Sequence, residues 1–268
     1  MEILAYFLAV LIGVSIGLIG SGGSILTVPI LVYLLDLDPV IATGYSLFIV
    51  GFSSLVGGGV KAWYHLVNFR MVWILGIPSL LMVLITRTFI MPEIPLIIGE
   101  IGGITISKSI FLMLLFAVIM IAASYSMIKT PNPSPRLKKT KINPWFVLMI
   151  GVLLGVVTGM VGAGGGFLIV PALVLVMRIP MHKAVGTSMW IVAVNSLLGF
   201  TGYWWTKEGA IDWNVLSVFT STSLLGIAIG ILLGKRVSGE RLKKGFGYFV
   251  LVMGIYILAN EVMGVLEF

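Results

Sequence analysis

The chain has 268 residues, of which 59% are hydrophobic and 10% charged, and its mean hydropathy is +1.14. Soluble domains carry about 25% charged residues, so an ordinary soluble fold is excluded. The net charge of +7 sits in a few short loops between apolar runs, which argues for orientation in a membrane and against nucleic-acid binding.

In chain order, residues 3–19 are apolar and predicted helical. They lack a basic start, so no cleavable signal peptide is expected. Gly20 to Ser24 breaks the helix, and 25–35 form a shorter apolar piece closed by Asp36, Asp38 and Pro39. Residues 40–60 are a span, followed by Lys61-Ala-Trp-Tyr-His65, Asn68 and Arg70, with Lys61 and His65 assigned to a membrane interface. Residues 71–91 are the next span, and Arg87 near its end can snorkel. Residues 92–108 read as a loop and 109–128 as a span.

The segment 129–143, with Pro131, Pro133, Pro135 and five basic residues, reads as a linker between a first repeat, 1–128, and a second, 144–268. In the second, 145–161 is helical, 162–166 breaks, and 167–177 is a short apolar piece ending near Arg178 and Pro180. Spans follow at 183–204, 213–234 and 245–266.

The two breaks match. Gly17, Gly20, Gly22, Gly23, Leu26, Val28 and Pro29 recur at a constant offset of 142 as Gly159, Gly162, Gly164, Gly165, Leu168, Val170 and Pro171. Ala42, Gly44, Ser46, Ser54 and Gly57 recur as Ala184, Gly186, Ser188, Ser196 and Gly199. Apolar composition produces chance identities, but it does not place glycines, a proline and serines in one ungapped register. The basic segments 129–143 and 235–244 are expected on the cytoplasmic side of the plasma membrane. Counting spans outward from them puts the hairpin 3–35 on the outer face and the hairpin 145–178 on the inner face. The expected fold is therefore an all-α polytopic membrane protein of two inverted-topology repeats. Each repeat is a broken, re-entrant helical hairpin plus about three spans.

Glycines in a membrane helix cost roughly 1 kcal/mol each, and an opened backbone strands N–H and C=O groups unless something satisfies them. Such a break is tolerated where it is buried in protein or lines a cavity. Helix N-termini with bare glycine backbone beside them make an anion site without Lys or Arg. The candidate binding residues are Gly20, Ser21, Gly22, Gly23 and Ser24 in the first loop and Gly162, Ala163, Gly164, Gly165 and Gly166 in the second. Ser46, Thr187, Ser188 and Asn195 complete the candidate shell, although Ser46 and Ser188 can equally bond back to their own helices. Close helix packing is the competing use for the glycines. Cysteine is absent and the two histidines lie far apart, so neither a metal nor a cofactor is expected. No acidic residue is expected mid-span, which leaves a carboxylate relay unsupported. No nucleophile–base pair lies within a span, so an enzyme is not expected.

The doubled pattern Gly-x-x-Gly-x-Gly-Gly-x-x-x-x-x-Pro, with Ala-Val-Gly-Thr-Ser188 and Asn143-Pro144, resembles the sulfite exporter family TauE/SafE over nearly the whole chain. The resemblance implies a membrane transporter that exports sulfite or an organosulfonate, with the two glycine loops holding the anion. Tyr45 stands where Thr187 does and Ser24 where Gly166 does, so the halves are expected to contribute unequally. A passive anion channel and an importer of a related oxyanion such as thiosulfate are the alternatives. The expected partners are the small anion and the lipid bilayer. A homodimer is left open.

Overall fold

The computed structural model describes residues 2–101, 104–129, 144–161, 165–205, 211–234 and 236–266. The expected linker beyond Lys129, and Gly162, Ala163 and Gly164, lie outside the described residues. Helix α1 (Glu2–Ile19) leads through a 3-10 helix (Gly20–Leu26) into α2 (Thr27–Leu35). Next come α3 (Pro39–Trp63) and α4 (Phe69–Ile85), which continues through a π-helical turn (Thr86–Ile90) into α5 (Met91–Glu93). The strands β1 (Ile97–Ile101) and β2 (Ile104–Ser107) precede α6 (Lys108–Lys129). The second half has α7 (Pro144–Val161), then α8 (Gly166–Pro171) continued by a π-helical turn (Ala172–Val176). It ends with α9 (Met181–Trp205), α10 (Trp213–Gly234) and α11 (Gly239–Leu266).

Among the described residues, five helical stretches are long and apolar enough to cross a membrane: Pro39–Trp63, Phe69–Glu93, Lys108–Lys129, Met181–Trp205 and Trp213–Gly234. In α11 the apolar part is Gly247–Met263. The most deeply buried of the five are α3 and α9, which pack on each other at the centre. Around them α1 packs on α10, α4 on α7, and α6 on α11.

Local chemistry starts and stops these elements. Asp38 Oδ1 accepts from Val40 N at 2.8 Å and Pro39 takes the first turn, where its missing N–H costs nothing. Both short arms end alike. Asp36 is left-handed at φ 54° and Leu37 N donates to Leu31 O at 3.2 Å, while Arg178 is left-handed at φ 54° and Ile179 N donates to Leu173 O at 2.9 Å. This is the wrapped cap that satisfies the last carbonyls of a helix.

Four expectations need correction. The stretch 92–108 holds an antiparallel hairpin with Ile97 opposite Ser107 and Ile101 opposite Ile104, because its isoleucines favour strand over open loop. The first glycine break is not open, since residues 20–26 stay wound as a 3-10 helix that runs straight into α2. Lys61 is not an open side chain: it is 6% exposed, at the end of α3 against Gly186 of α9. Arg87 does not snorkel, and sits buried in the π-helical turn.

Glycine lets the helix pairs approach backbone to backbone. A Cβ added at Gly17 would fall 2.9 Å from Gly230 Cα, and one at Gly13 would meet the Ser223 carbonyl. In the α7–α4 pair, a Cβ at Gly159 would fall 2.6 Å from Thr86 Cβ, and one at Gly155 would meet the Ser79 carbonyl. Membrane helices associate through such close packing, because lipid offers no hydrophobic drive to separate them from solvent.

Candidate functional site

The site is built where the two glycine loops cross. Gly20 turns the chain at the end of α1 with φ +81°, a conformation open to glycine and strained for other residues. A Cβ there would fall 2.9 Å from Val185 O and 3.1 Å from Ser188 Oγ, so α9 of the second half lies directly against the first loop. Gly165 makes the corresponding turn before α8 at φ +63°. Next to it, Gly166 lies so close to Ser21 that a side chain at 166 would occupy the Ser21 carbonyl and Cβ. The crossing therefore brings Gly20, Ser21, Gly165, Gly166 and Ser188 together.

The hydroxyls differ in what they have left to donate. Ser24 Oγ donates to Ser21 O at 2.6 Å and Ser188 Oγ to Val185 O at 2.9 Å. Thr187 Oγ1 donates to Lys183 O at 2.6 Å and accepts from Asn68 N at 2.9 Å, which ties the α3–α4 loop to the start of α9. By contrast, the hydroxyls of Ser21 and Ser46 are fully buried and have no hydrogen-bond partner among the described residues. An unpartnered buried hydroxyl costs roughly 1–3 kcal/mol on protein mutational scales; eight such hydroxyls lie among the described residues, and Ser21 is one that also lies at the loop crossing.

Asn195 lies elsewhere, on α9 against α4: its Nδ2 donates to Ser79 Oγ at 2.7 Å and its Oδ1 is unpartnered. Gly22 and Gly23 run inside the 3-10 helix. One residue escaped the sequence reading. Thr158, on α7, is 1% exposed, and its Oγ1 has no partner among the described residues and lies where a Gly165 Cβ would be. The signal was present, as a hydroxyl immediately before Gly159 in an otherwise apolar helix, at the position where the first half carries Ile16.

Among the described residues no cluster of His, Cys, Asp or Glu is arranged to hold a metal ion. The crossing is made of backbone, hydroxyls and aliphatic groups. Such a set can donate hydrogen bonds to an anion.

Residues 5–257 match the sequence model of the family described as sulfite exporter TauE/SafE. A protein of Xylella fastidiosa (strain 9a5c) named "Probable membrane transporter protein" is 29% identical over 260 residues, covering 92% of this chain and 91% of that one. A protein of the same description from Methanocaldococcus jannaschii is 24% identical over 267 residues, covering 94% of each chain. "Probable membrane transporter protein YjnA" of Bacillus subtilis is 24% identical over 268 residues, covering 96% of this chain and 100% of that one. No solved structure matches the chain.

Proposed function

Because this chain belongs to the sulfite exporter TauE/SafE family, we propose that it is a secondary transporter exporting a small sulfur-containing anion by alternating access of two inverted halves. The family and the names of the relatives support a membrane transporter. Sulfite or an organosulfonate is the proposed cargo, held by the paired glycine loops and the hydroxyls beside them. The observation that carries this is the contact of Gly166 with Ser21, backbone against backbone, with the Ser21 hydroxyl buried and unpartnered.

The halves 1–128 and 144–268 are supported as repeats by contacts that exchange into one another. Swapping the halves turns the α1–α10 pair into α7–α4 and returns α3–α9 and α6–α11 to themselves. The swap reaches single residues. The Ser53 Oγ to Ser223 Oγ bond of 3.0 Å becomes the Asn195 Nδ2 to Ser79 Oγ bond of 2.7 Å, with offsets of 142 from 53 to 195 and 144 from 79 to 223. Likewise Gly57 near Ile227 becomes Gly199 near Val83, and Gly44 against Tyr203 becomes Gly186 against Lys61.

Opposite entry of the hairpins has support in contacts at the helix ends. Asp38 Oδ2 accepts from Ser109 Oγ at 3.1 Å and the Tyr45 hydroxyl accepts from Asp212 N at 2.6 Å, both toward the start of α3. Asn68 meets Thr187 beyond its other end. The first hairpin thus closes at one end of the bundle and the second at the other. The basic segments 129–143 and 235–244 are assigned to the cytoplasm from their charge.

The test is flux in proteoliposomes containing the purified protein, with sulfite, sulfate, thiosulfate and methanesulfonate in parallel. Saturable flux of sulfite or methanesulfonate, accelerated by the same anion on the trans side, is expected. Non-saturable flux would make it a channel, and selective thiosulfate uptake would reverse the cargo and direction.

A further inference from the structure

We propose that Thr158 and Ser21 form a two-hydroxyl clamp, one member from each half, that donates to separate oxygens of a monoanionic sulfur oxyanion. The proposal rests on the transporter reading and deepens it by naming a contact residue and an ionic form.

Thr158 is one of several buried helical hydroxyls without a partner among the described residues, with Thr27, Ser46, Ser54, Ser196 and Thr220. Threonine in a helix ordinarily donates back to a carbonyl three or four residues earlier, and Thr43, Thr187, Thr201 and Thr222 all do so. Thr158 does not, although it lies inside α7 and is 1% exposed. Its Oγ1 is instead pressed against Gly165, and that contact together with φ +63° requires glycine there.

Ser21 lies against Gly166, the next residue of the same dipeptide, with its own hydroxyl unpartnered among the described residues. Other buried hydroxyls lack partners among the described residues, including Ser54, Ser196 and Thr220, but Thr158 and Ser21 are the nearest neighbours of Gly165 and Gly166. Neither has a polar counterpart in the opposite half, where Thr158 is matched by Ile16 and Ser21 by Ala163. Each half thus contributes one donor.

This geometry selects on charge. The atoms nearest the dipeptide, from Thr158 and Ser21, are all uncharged. Neutral donors compensate the burial of one negative charge better than of two, since the desolvation penalty climbs steeply with charge. Bisulfite and alkylsulfonates are monoanions with several acceptor oxygens. Sulfate and thiosulfate are dianions at neutral pH and are disfavoured.

The experiment uses methanesulfonate, whose charge does not change with pH, in proteoliposome flux at fixed pH. Thr158→Val keeps the shape and removes the donor, and should raise KM about tenfold or more, the loss expected for a hydrogen bond to a charged group. Thr158→Ser restores the hydroxyl and should stay within about twofold of wild type. Ser21→Ala should raise KM as Thr158→Val does, and it carries the test if Thr158→Val fails to insert. An unchanged KM in Thr158→Val, or equal losses in the Val and Ser variants with lowered thermal stability, would overturn the clamp and leave transport standing. Wild-type protein that moves no sulfur oxyanion would overturn the transporter reading and the clamp with it.

Discussion

The two glycine loops share a sequence pattern, and their described residues are arranged differently. In the first, the turn falls at Gly20 and the chain stays wound to Leu26, with Ser24 Oγ bonded to Ser21 O and Thr27 N to Ser24 O. That loop satisfies much of its own backbone. In the second, the turn falls at Gly165 and α8 starts at the next residue, with no side-chain cap. The difference teaches a division of labour. The first loop carries the serines, and the second brings bare backbone up to them.

The strongest test of this comparison is bulk at the crossing. Gly166→Leu and Gly165→Leu should abolish flux at undiminished membrane insertion, because the new side chain has only Ser21 backbone or Thr158 Oγ1 to displace. Gly23→Leu should also abolish it, since Gly23 lies within the wound segment between Ser21 and Ser24. Flux normalised to inserted protein checks this. Survival of transport in Gly166→Leu would mean that the loops serve packing alone.

A smaller effect separates packing from binding. Gly13→Leu and Gly155→Leu press on matched contacts, the Ser223 carbonyl and the Ser79 carbonyl. Both should destabilise the detergent-solubilised protein by a similar amount, about 1–3 kcal/mol as for overpacked cores. A cost confined to one of them would break the equivalence of the α1–α10 and α7–α4 pairs.

Smaller again is Gly20→Ala. A left-handed turn costs a non-glycine residue roughly 1–2 kcal/mol, and the added methyl would press on Val185 O at 2.9 Å. Transport should persist in part, with a lower unfolding midpoint. Gly20→Ala as stable as wild type would show that the first loop relaxes freely, contrary to its wound structure.

The helices and their order were legible because composition and span length leave few alternatives in a bilayer. The glycine loops were legible as a pair because glycine register does not repeat by chance. The local conformation of the first loop was not legible: Gly-Ser-Gly-Gly-Ser reads as a breaker, yet Ser24 bonding back to Ser21 keeps it helical. Nor was the fate of Lys61 and Arg87, since a charge at a helix end reads as interfacial until tertiary packing covers it. Thr158 was missed because the eye follows the glycines, and its hydroxyl gains meaning only when Gly165 is seen to touch it.

The smallest expected effect concerns the proton. Among the described residues, acidic side chains lie in loops, in the β1 strand or toward helix ends. The most enclosed of those whose surroundings are described is Glu261, half-buried near the end of α11. Its Oε1 accepts from the Tyr33 hydroxyl at 2.8 Å, which links α11 to α2, the arm leaving the first loop. Two roles are open to such a pair: a structural tie, or a station for a coupled proton. Glu261→Gln separates them, because a glutamine carbonyl still accepts from Tyr33 but cannot take up a proton in this range. If the proton travels on the anion itself, as bisulfite, the pH dependence of sulfite flux should follow the substrate's own ionisation. Glu261→Gln should then leave that profile within experimental scatter of wild type, and Glu93→Gln likewise. Methanesulfonate sharpens the test: its flux should be flat over the pH range in which sulfite flux changes. A flat sulfite profile in Glu261→Gln, with transport retained, would place the proton on Glu261 and make the Tyr33 contact a coupling element between α2 and α11.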